Sequence, residues 1–188
     1  MNEDVDREIR LQIQKLERDT ETTSASNFAV AQRWELYNIC LGVTIVILSA
    51  CATALGAISA SEGISSDPTV QSFLIVFSTV ISSAAAVLGS ILTFLKPSER
   101  AARYREFGNK QKSLRNRLRV YHSVTINFAD DPKERHAALR KFLTEKDALN
   151  SDNPPIPRWA FKQASKDIAD KLRRQGQAVR SGGIQSAN

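Results

Sequence analysis

Side chains able to act as acids, bases, nucleophiles or metal ligands are few in this chain and far apart. The only histidines and cysteines are His122, His136, Cys40 and Cys51. Their spacing does not match a metal site, and the chain has no phosphate loop or serine nucleophile motif. Asp130, Asp131 and Glu134 are close in sequence, but Asp131 before Pro132 is better explained as a helix cap. We therefore predict no enzyme activity, no metal and no cofactor.

One stretch has residue types that point to a function, and it is the uncharged run from Pro68 to Leu95. At about 100° per residue, its hydroxyl and small side chains fall within about 80° of one another on a helical wheel. These residues, called the hydroxyl face below, are Ser72, Thr79, Ser83, Ala86, Ser90 and Thr93. The other side of the wheel is bulky, and we expect Phe73, Phe77, Ile81 and Leu88 to face lipid. A polar stripe on an apolar helix can line a pore.

Close helix packing is the alternative interpretation of these small residues, and from the residue types alone it is preferred. Ser78, Ser82, Ala86 and Ser90 form a ladder of small side chains four residues apart, which lets a neighbouring helix approach closely. A similar ladder occurs in the first apolar run of the chain. The residues predicted to pack between helices are Ala52, Gly56, Ala60, Ser78, Ser82 and Gly89.

Two apolar runs are long enough to cross a membrane. Residues 36–61 and residues 68–95 contain no charged side chain, and about 20 apolar residues span the hydrocarbon layer. The linker of residues 62–67 is short, so we expect an antiparallel hairpin. No Lys or Arg occurs between Trp34 and Leu95, whereas 21 of the 26 Lys and Arg residues follow Leu95. The positive-inside rule therefore predicts that both termini are cytoplasmic.

Basic residues directly after the second run are predicted to lie at the membrane surface. They are Lys96, Arg100, Arg103 and Arg105. Residues 96–119 carry nine Lys or Arg against two acidic residues. A basic face of this kind can bind nucleic acid, but directly after a membrane span we expect it to meet anionic lipid headgroups instead.

The remaining sequence predicts cytoplasmic helices. Residues 5–19 are typical of a modest partner helix with a narrow apolar stripe, and Thr20–Ser26 reads as a polar break. The helix after Pro97 carries a stripe, called the cytoplasmic seam, whose members alternate three and four residues apart. They are Tyr104, Phe107, Gln111, Leu114, Leu118 and Tyr121. The seam either packs on the N-terminal helix or joins subunits, and the sequence leaves both interpretations open.

The junction from Phe94 to Tyr121 resembles the SLATT family. These are two-span effectors associated with nucleotide-synthesising and nucleotide-sensing partners in bacterial conflict systems. Phe94-Leu95 matches the aromatic end of a span, Ser98-Glu99-Arg100-Ala101 matches the element that follows, and Tyr104 matches the aromatic helix. The resemblance extends over residues 28–172 and implies a pore-forming or membrane-perturbing effector, activated by a partner that senses infection. It therefore favours the pore over helix packing as the role of the hydroxyl face.

The sequence thus predicts an all-α membrane protein. Its fold is an antiparallel two-helix transmembrane hairpin, continuous with a cytoplasmic helical bundle and homo-oligomeric, because one hairpin cannot enclose a channel. The expected segments are an N-terminal helix and polar break (1–27), a pre-membrane helix with the first span (28–61), an outer loop (62–67), a second span (68–95), about three cytoplasmic helices (96–175) and a disordered tail (176–188).

The predicted function is that of an inner-membrane effector of the antiphage, abortive-infection type, which forms a pore or disrupts the membrane when activated. The expected partners are further copies of the chain, membrane lipid, and a sensor or regulatory protein encoded with it. The main alternative is a non-conducting two-span anchor or scaffold that recruits a partner through its cytoplasmic helices. A membrane-tethered nucleic-acid binder is the third and least favoured hypothesis.

Overall fold

The computed structural model describes the backbone of residues 2–60, 68–125 and 132–185, and the side chains of residues 7–60, 69–123 and 133–174. Five α-helices and one π-helical turn account for nearly all of this part, which contains no strand. They are α1 (Asn2–Ala60), α2 (Pro68–Leu95), α3 (Pro97–Val120), the π-helical turn (Tyr121–Thr125), α4 (Pro132–Asp152) and α5 (Arg158–Gln185). The all-α prediction is confirmed. The predicted outer loop, Asp130 and Asp131 lie outside the described residues.

The chain divides into two compact units. One, called the helical unit, comprises Met1–Gln32 and Ala102–Asn188. The other, called the span unit, comprises Arg33–Ala101 and contains both apolar runs. Each is described separately below.

The predicted polar break at Thr20–Ser26 does not occur, because α1 is continuous from Asn2 to Ala60. The hydroxyl of Thr20 donates to the Leu16 carbonyl at 2.9 Å, and the hydroxyl of Ser26 donates to the Thr22 carbonyl at 2.7 Å. Bonds of this kind satisfy the hydroxyls inside a helix. Thr20 and Ser26 are also fully buried, so tertiary contacts outweigh the low helix propensity of these residues.

The core of the helical unit joins α1, α3 and α4. Its largest cluster consists of fully or almost fully buried aliphatic side chains, with Tyr121, Phe142 and Leu149 packed around them. The buried members are Ile9, Ile13, Leu16, Leu114, Leu118 and Leu139. The N-terminal helix therefore supplies half of the core cluster, which is more than the narrow stripe in its sequence predicts.

The cytoplasmic seam is buried within a single copy of the chain. Phe107, Gln111, Leu114 and Leu118 are buried, and Leu114 and Leu118 belong to the cluster that includes Ile9 of α1. Tyr104 and Tyr121 at its two ends are half-buried. This is the arrangement expected if the seam packs on the N-terminal helix, which was one of the two interpretations left open.

Helices α1 and α3 approach each other closely at Gly108. A Cβ atom added to Gly108 would lie 3.1–3.2 Å from three carbons of the Phe28 ring, closer than the 3.5–4.0 Å that carbon atoms prefer. In the same place the buried hydroxyl of Ser24 donates to the Gly108 carbonyl at 2.9 Å. The short distance between the helices therefore favours a glycine at this position.

Polar contacts connect α4 and the segment before α5 to this pair of helices. The Lys146 ammonium lies 3.0 Å from the Asp19 carboxylate, and the Gln111 amide donates to Asn150 Oδ1 at 3.2 Å. The Tyr104 hydroxyl donates to the Pro155 carbonyl at 2.9 Å. These contacts hold α4 and the segment before α5 against α3 and the N-terminal part of α1.

Helix α2 ends at Leu95, and Lys96 takes a left-handed φ of 46° before α3 begins at Pro97. At the C-terminal end of the chain, α5 continues to Gln185, past Gly176, where the sequence predicts the start of a disordered tail. A glycine inside a helix costs only about 1 kcal/mol relative to alanine, which is too little to end one.

Candidate functional site

The hydroxyl face of α2 is exposed in the single chain. All six of its members, from Ser72 to Thr93, are exposed. The hydroxyls of Thr79, Ser83, Ser90 and Thr93 each donate to the carbonyl four residues earlier, at 2.8–2.9 Å. Their protons are thereby occupied, but each oxygen keeps lone pairs that can accept a hydrogen bond. The face is therefore mildly polar, acceptor-rich and free of charge.

A different stripe of α2 is the one that is covered. Its buried and half-buried side chains alternate four and three residues apart, and we call them the span seam. They are Leu74, Ser78, Ile81, Ala85, Leu88, Leu92 and Leu95. On the helical wheel the middle of the span seam lies about 150° from the middle of the hydroxyl face. The span seam and the hydroxyl face thus occupy nearly opposite sides of α2.

The span seam contacts the apolar part of α1. The hydroxyl of Ser78 donates to the Ala52 carbonyl at 3.1 Å, and a Cβ added to Gly56 would lie 4.0 Å from the Ser78 oxygen. Among the described residues of the two apolar runs, Ala52 and Ala85 are the buried hydrophobic ones. Three of the predicted contact residues, Ala52, Gly56 and Ser78, are therefore brought together.

The other residues predicted to pack are not brought into this contact. Ala60 and Ser82 are exposed, and a Cβ added to Gly89 would meet no atom within 4 Å. Ile81 and Leu88, expected to face lipid, are half-buried in the span seam instead. The physical reason is that leucines and isoleucines interlock at alternating three- and four-residue spacing. That spacing was present in the sequence and could have revealed the span seam.

Large apolar side chains cover the outside of the span unit. Phe73, Phe77, Val46 and Ile47 are all exposed, and the rings of Phe73 and Phe77 stack at 5.9 Å. Two helical stretches are long and apolar enough to cross a membrane, and only 6% of the apolar window in each is buried. A core helix of a water-soluble protein would be mostly buried, so this low burial favours lipid as the surroundings.

Aromatic and basic side chains meet at one end of the span unit. The Arg100 guanidinium lies 5.0 Å from the centre of the Trp34 ring, and Arg33 lies 5.9 Å from that of Tyr37. The Trp34 and Tyr37 rings contact edge to face at 5.9 Å. Tryptophan, tyrosine and arginine are typical of the membrane–water boundary.

The basic face of residues 96–119 has fewer cations available to bind anions than its composition indicates. Lys96 pairs with Glu99 at 3.0 Å, Lys110 with Glu106 at 2.6 Å, and Arg115 with Glu21 at 2.9 Å. The hydrogen bond and charge of Lys110 lower the pKa of the Glu106 carboxyl. A fourth cation of the set, Arg117, pairs with Glu145, whereas Arg103 and Arg105 are exposed.

The described histidines and cysteines are distributed over different elements of the chain. In residues 7–60, 69–123 and 133–174 no group of three or more His, Cys, Asp or Glu side chains could hold a metal ion. His122 is half-buried in the π-helical turn and His136 is exposed on α4. Cys40 and Cys51 are free thiols on the exposed side of α1.

Comparison with protein-family models, with curated proteins and with solved structures finds no match for this chain.

Proposed function

We propose that this chain is a membrane effector whose copies assemble with the hydroxyl faces of α2 around a common axis and conduct ions or small solutes when activated. The observation that carries the proposal is the position of the hydroxyl face. It is exposed along its whole length, and it lies about 150° from the span seam on the helical wheel. The contact with α1 therefore leaves the polar side of α2 uncovered, and a hydroxyl surface is poorly matched to lipid.

An antiparallel transmembrane hairpin is the arrangement that the contacts of the span unit support. Trp34 near the start of the first run contacts Arg100 just after the second run. Ala52, late in the first run, contacts Ser78, early in the second. From the first pair to the second the residue number rises along α1, while the number of its partner falls from Arg100, just after α2, to Ser78 within α2, as in two antiparallel neighbours. The Lys and Arg distribution favours the inner membrane with both termini in the cytoplasm.

The proposed assembly has α2 in an inner ring and α1 in an outer ring. A hairpin alone cannot enclose a conduit, so several copies are required. If the hydroxyl faces point inward, the span seam directs α1 outward, where its exposed Val46 and Ile47 meet lipid. Because the hydroxyl face carries no charge, we expect weak ion selectivity.

The biological setting is proposed from the resemblance to the SLATT family alone. In this setting a sensor protein encoded with the chain detects infection and acts on the helical unit, and opening of the pore arrests or kills the cell. The helical unit then serves for assembly and control. No cofactor and no enzymatic step are required for this function.

A non-conducting anchor or scaffold is the second candidate. It is favoured by exposed apolar side chains on α4 and α5, where Leu143, Phe161 and Leu172 are 38–49% exposed and could receive a partner protein. A nucleic-acid binder has less support, because ion pairs with acidic residues occupy four of the nine cations on residues 96–119.

Dye release from liposomes containing the purified full-length protein tests the conduit. We expect release to increase steeply with protein density in the bilayer, and to be largely lost in Ser83→Leu and Ser90→Leu. The matched control is Val87→Leu, which adds leucine at an exposed position on the bulky side of the same helix. Equal release by Ser90→Leu and the wild type would contradict the inward orientation. No release by the wild type at any protein density would show that assembly alone does not open the conduit, and the cross-linking described next then decides between a closed ring and the anchor.

Cysteine cross-linking tests the same orientation without requiring an open pore. Both native cysteines are exposed, so they are first replaced, by Cys40→Ser and Cys51→Ala. In this background Ser90→Cys is expected to form disulfide-linked dimers in the membrane after mild oxidation, and Val87→Cys is not. Cross-linking through Val87→Cys alone would place the bulky side at the contact between copies and refute the proposed ring.

A further inference from the structure

A concave surface lies within the helical unit, and none of its residues belongs to the hydroxyl face or the span seam. It is an open cleft of about 580 Å³ between α1, α4 and α5, within the range of small-molecule sites in proteins. Its walls include Arg18 of α1, Lys146 of α4 and Phe161 of α5. All three helices contribute residues spaced one turn apart, so a ligand in the cleft would touch three elements at once.

The cleft carries a net positive charge. The side chain of Lys146 is only 18% exposed, and its ammonium lies 3.0 Å from the Asp19 carboxylate. This ion pair holds the ammonium in position, while an ammonium has three donors and can serve further acceptors. Arg18 adds a second cation, and no carboxylate among the described residues forms an ion pair with it. Two cations against one carboxylate favour an anionic ligand.

The opposite wall of the cleft is apolar. Phe161 is 38% exposed, Ile168 is half-buried, and Ala169 lies beside them on the same side of α5. An exposed aromatic ring beside an aliphatic side chain gains free energy when a flat apolar group covers it. The ligand is therefore expected to have an apolar part as well as an anionic group.

Polar side chains between these walls have defined donor and acceptor roles. The hydroxyls of Thr22 and Thr23 donate to carbonyls of their own helix at 2.9 Å, so they can only accept from a ligand. Asn150 accepts the amide proton of the buried Gln111 through its Oδ1 atom, which leaves its NH₂ group to donate. The hydroxyl of Ser165 completes the polar lining.

From these observations we propose that the cleft binds a small organic anion with an apolar or aromatic body. The anionic group lies between Arg18 and Lys146, and the apolar body covers Phe161 and Ile168. Because Asn150 also holds Gln111 of α3, the ligand connects all four helices of the helical unit. Its binding is expected to stabilise this unit and is independent of whether the spans conduct.

Phenyl phosphate is a suitable probe because it combines one anionic group with one aromatic ring. Binding to the full-length protein in nanodiscs is measured by isothermal titration calorimetry, with inorganic phosphate and benzyl alcohol as partial probes. We expect a dissociation constant of about 1 mM or tighter for phenyl phosphate. Inorganic phosphate lacks the aromatic ring and benzyl alcohol lacks the anionic group. Each is therefore expected to bind at least about tenfold more weakly than phenyl phosphate.

Two variants and a control decide whether the cleft is the site. Arg18→Gln and Phe161→Ala change exposed side chains, so the fold should persist, and each is expected to weaken phenyl phosphate binding about tenfold. Lys141→Gln removes an exposed cation of α4 outside the cleft and should leave it unchanged. Equal affinity in all three variants would overturn the proposal, as would no binding at about 10 mM or equally strong binding of inorganic phosphate.

Discussion

The close approach of α1 and α3 at Gly108 predicts that Gly108→Ala destabilises the protein, although helix propensity alone predicts the opposite. In an unobstructed helix, replacing glycine by alanine adds about 1 kcal/mol of stability. At Gly108, however, the new methyl group would lie 3.1–3.2 Å from three carbons of the Phe28 ring. Carbon atoms prefer 3.5–4.0 Å, so the ring or the helix must move by about half an ångström.

The cost of that movement decides the net effect of Gly108→Ala. Adding one methyl group to a well-packed site typically costs about 1–3 kcal/mol. The two helices have little freedom to separate, because the buried Ser24 hydroxyl of α1 holds this turn of α3 through its 2.9 Å bond to the Gly108 carbonyl. After subtraction of the gain in propensity, Gly108→Ala should be destabilising by about 1 kcal/mol, and by at most about 2 kcal/mol.

The free energy of unfolding of the full-length protein in detergent, followed by near-ultraviolet circular dichroism, gives the comparison. Gly42→Ala is the control, since a Cβ at Gly42 would meet nothing within 4 Å, and it should be neutral or stabilising. In the double variant Gly108→Ala with Phe28→Leu, the smaller side chain should recover at least about 0.5 kcal/mol relative to additivity.

The result that would refute this reasoning is a gain in stability. If Gly108→Ala stabilises the protein as much as Gly42→Ala does, the two helices do not meet at the distance described. If Gly108→Ala is destabilising but shows no coupling to Phe28→Leu, the Phe28 ring is not the obstacle.

Three further predictions concern the helical unit. Asn27 is fully buried, and among the described residues neither polar atom of its side chain has a hydrogen-bond partner. The nearly isosteric Asn27→Leu should therefore stabilise the protein by about 1–3 kcal/mol in urea unfolding; a loss of stability would imply a bound water at this amide. Leu114→Ala, at a fully buried core position, should cost about 2–5 kcal/mol in the same assay, whereas the exposed Leu143→Ala should cost less than about 1 kcal/mol. Burial raises the pKa of the Tyr121 hydroxyl, so the folded state holds this proton more tightly than the unfolded state does. The free energy of unfolding should therefore fall as the pH rises above about 10. Tyr121→Phe should make this fall with pH less steep, and an unchanged pH dependence would show that other groups control it.

Local signals in the sequence account for the elements of this fold. Pro97 and Pro132 stand at the first positions of α3 and α4, where proline is favoured because its missing N–H is not needed. The prolines after Asn153 separate α4 from α5. The uncharged run from Pro68 to Leu95 forms one helix over the same residues. Charge, proline and apolar periodicity act within a few residues, and they can be read without the tertiary structure.

Features that depend on a neighbouring helix were not predictable in the same way. The Thr20–Ser26 stretch reads as a break because its side chains are polar, yet Ser24 is buried against Gly108, 84 residues away. The sequence predicts helix packing through the small residues of α2, Ser82 among them, whereas α1 covers the span seam. The spacing of the span seam is visible in the sequence, but spacing alone does not say which face of α2 meets α1. The cleft near Arg18 needs three helices to assemble it, and no single segment of the sequence carries its signal.

The left-handed residue at the end of α2 has a consequence for how the protein responds to bilayer thickness. Lys96, with a φ of 46° directly before Pro97, prevents α2 and α3 from merging into one straight helix. At about 1.5 Å per residue, the 28 residues of α2 extend about 42 Å, close to the full thickness of a bilayer with its headgroup regions. In the proposed orientation a thinner membrane cannot be accommodated by moving the helix end towards α3, so α2 must tilt. Lipid composition would then change the angle between the α2 helices of neighbouring copies, and with it the width of the conduit that they enclose.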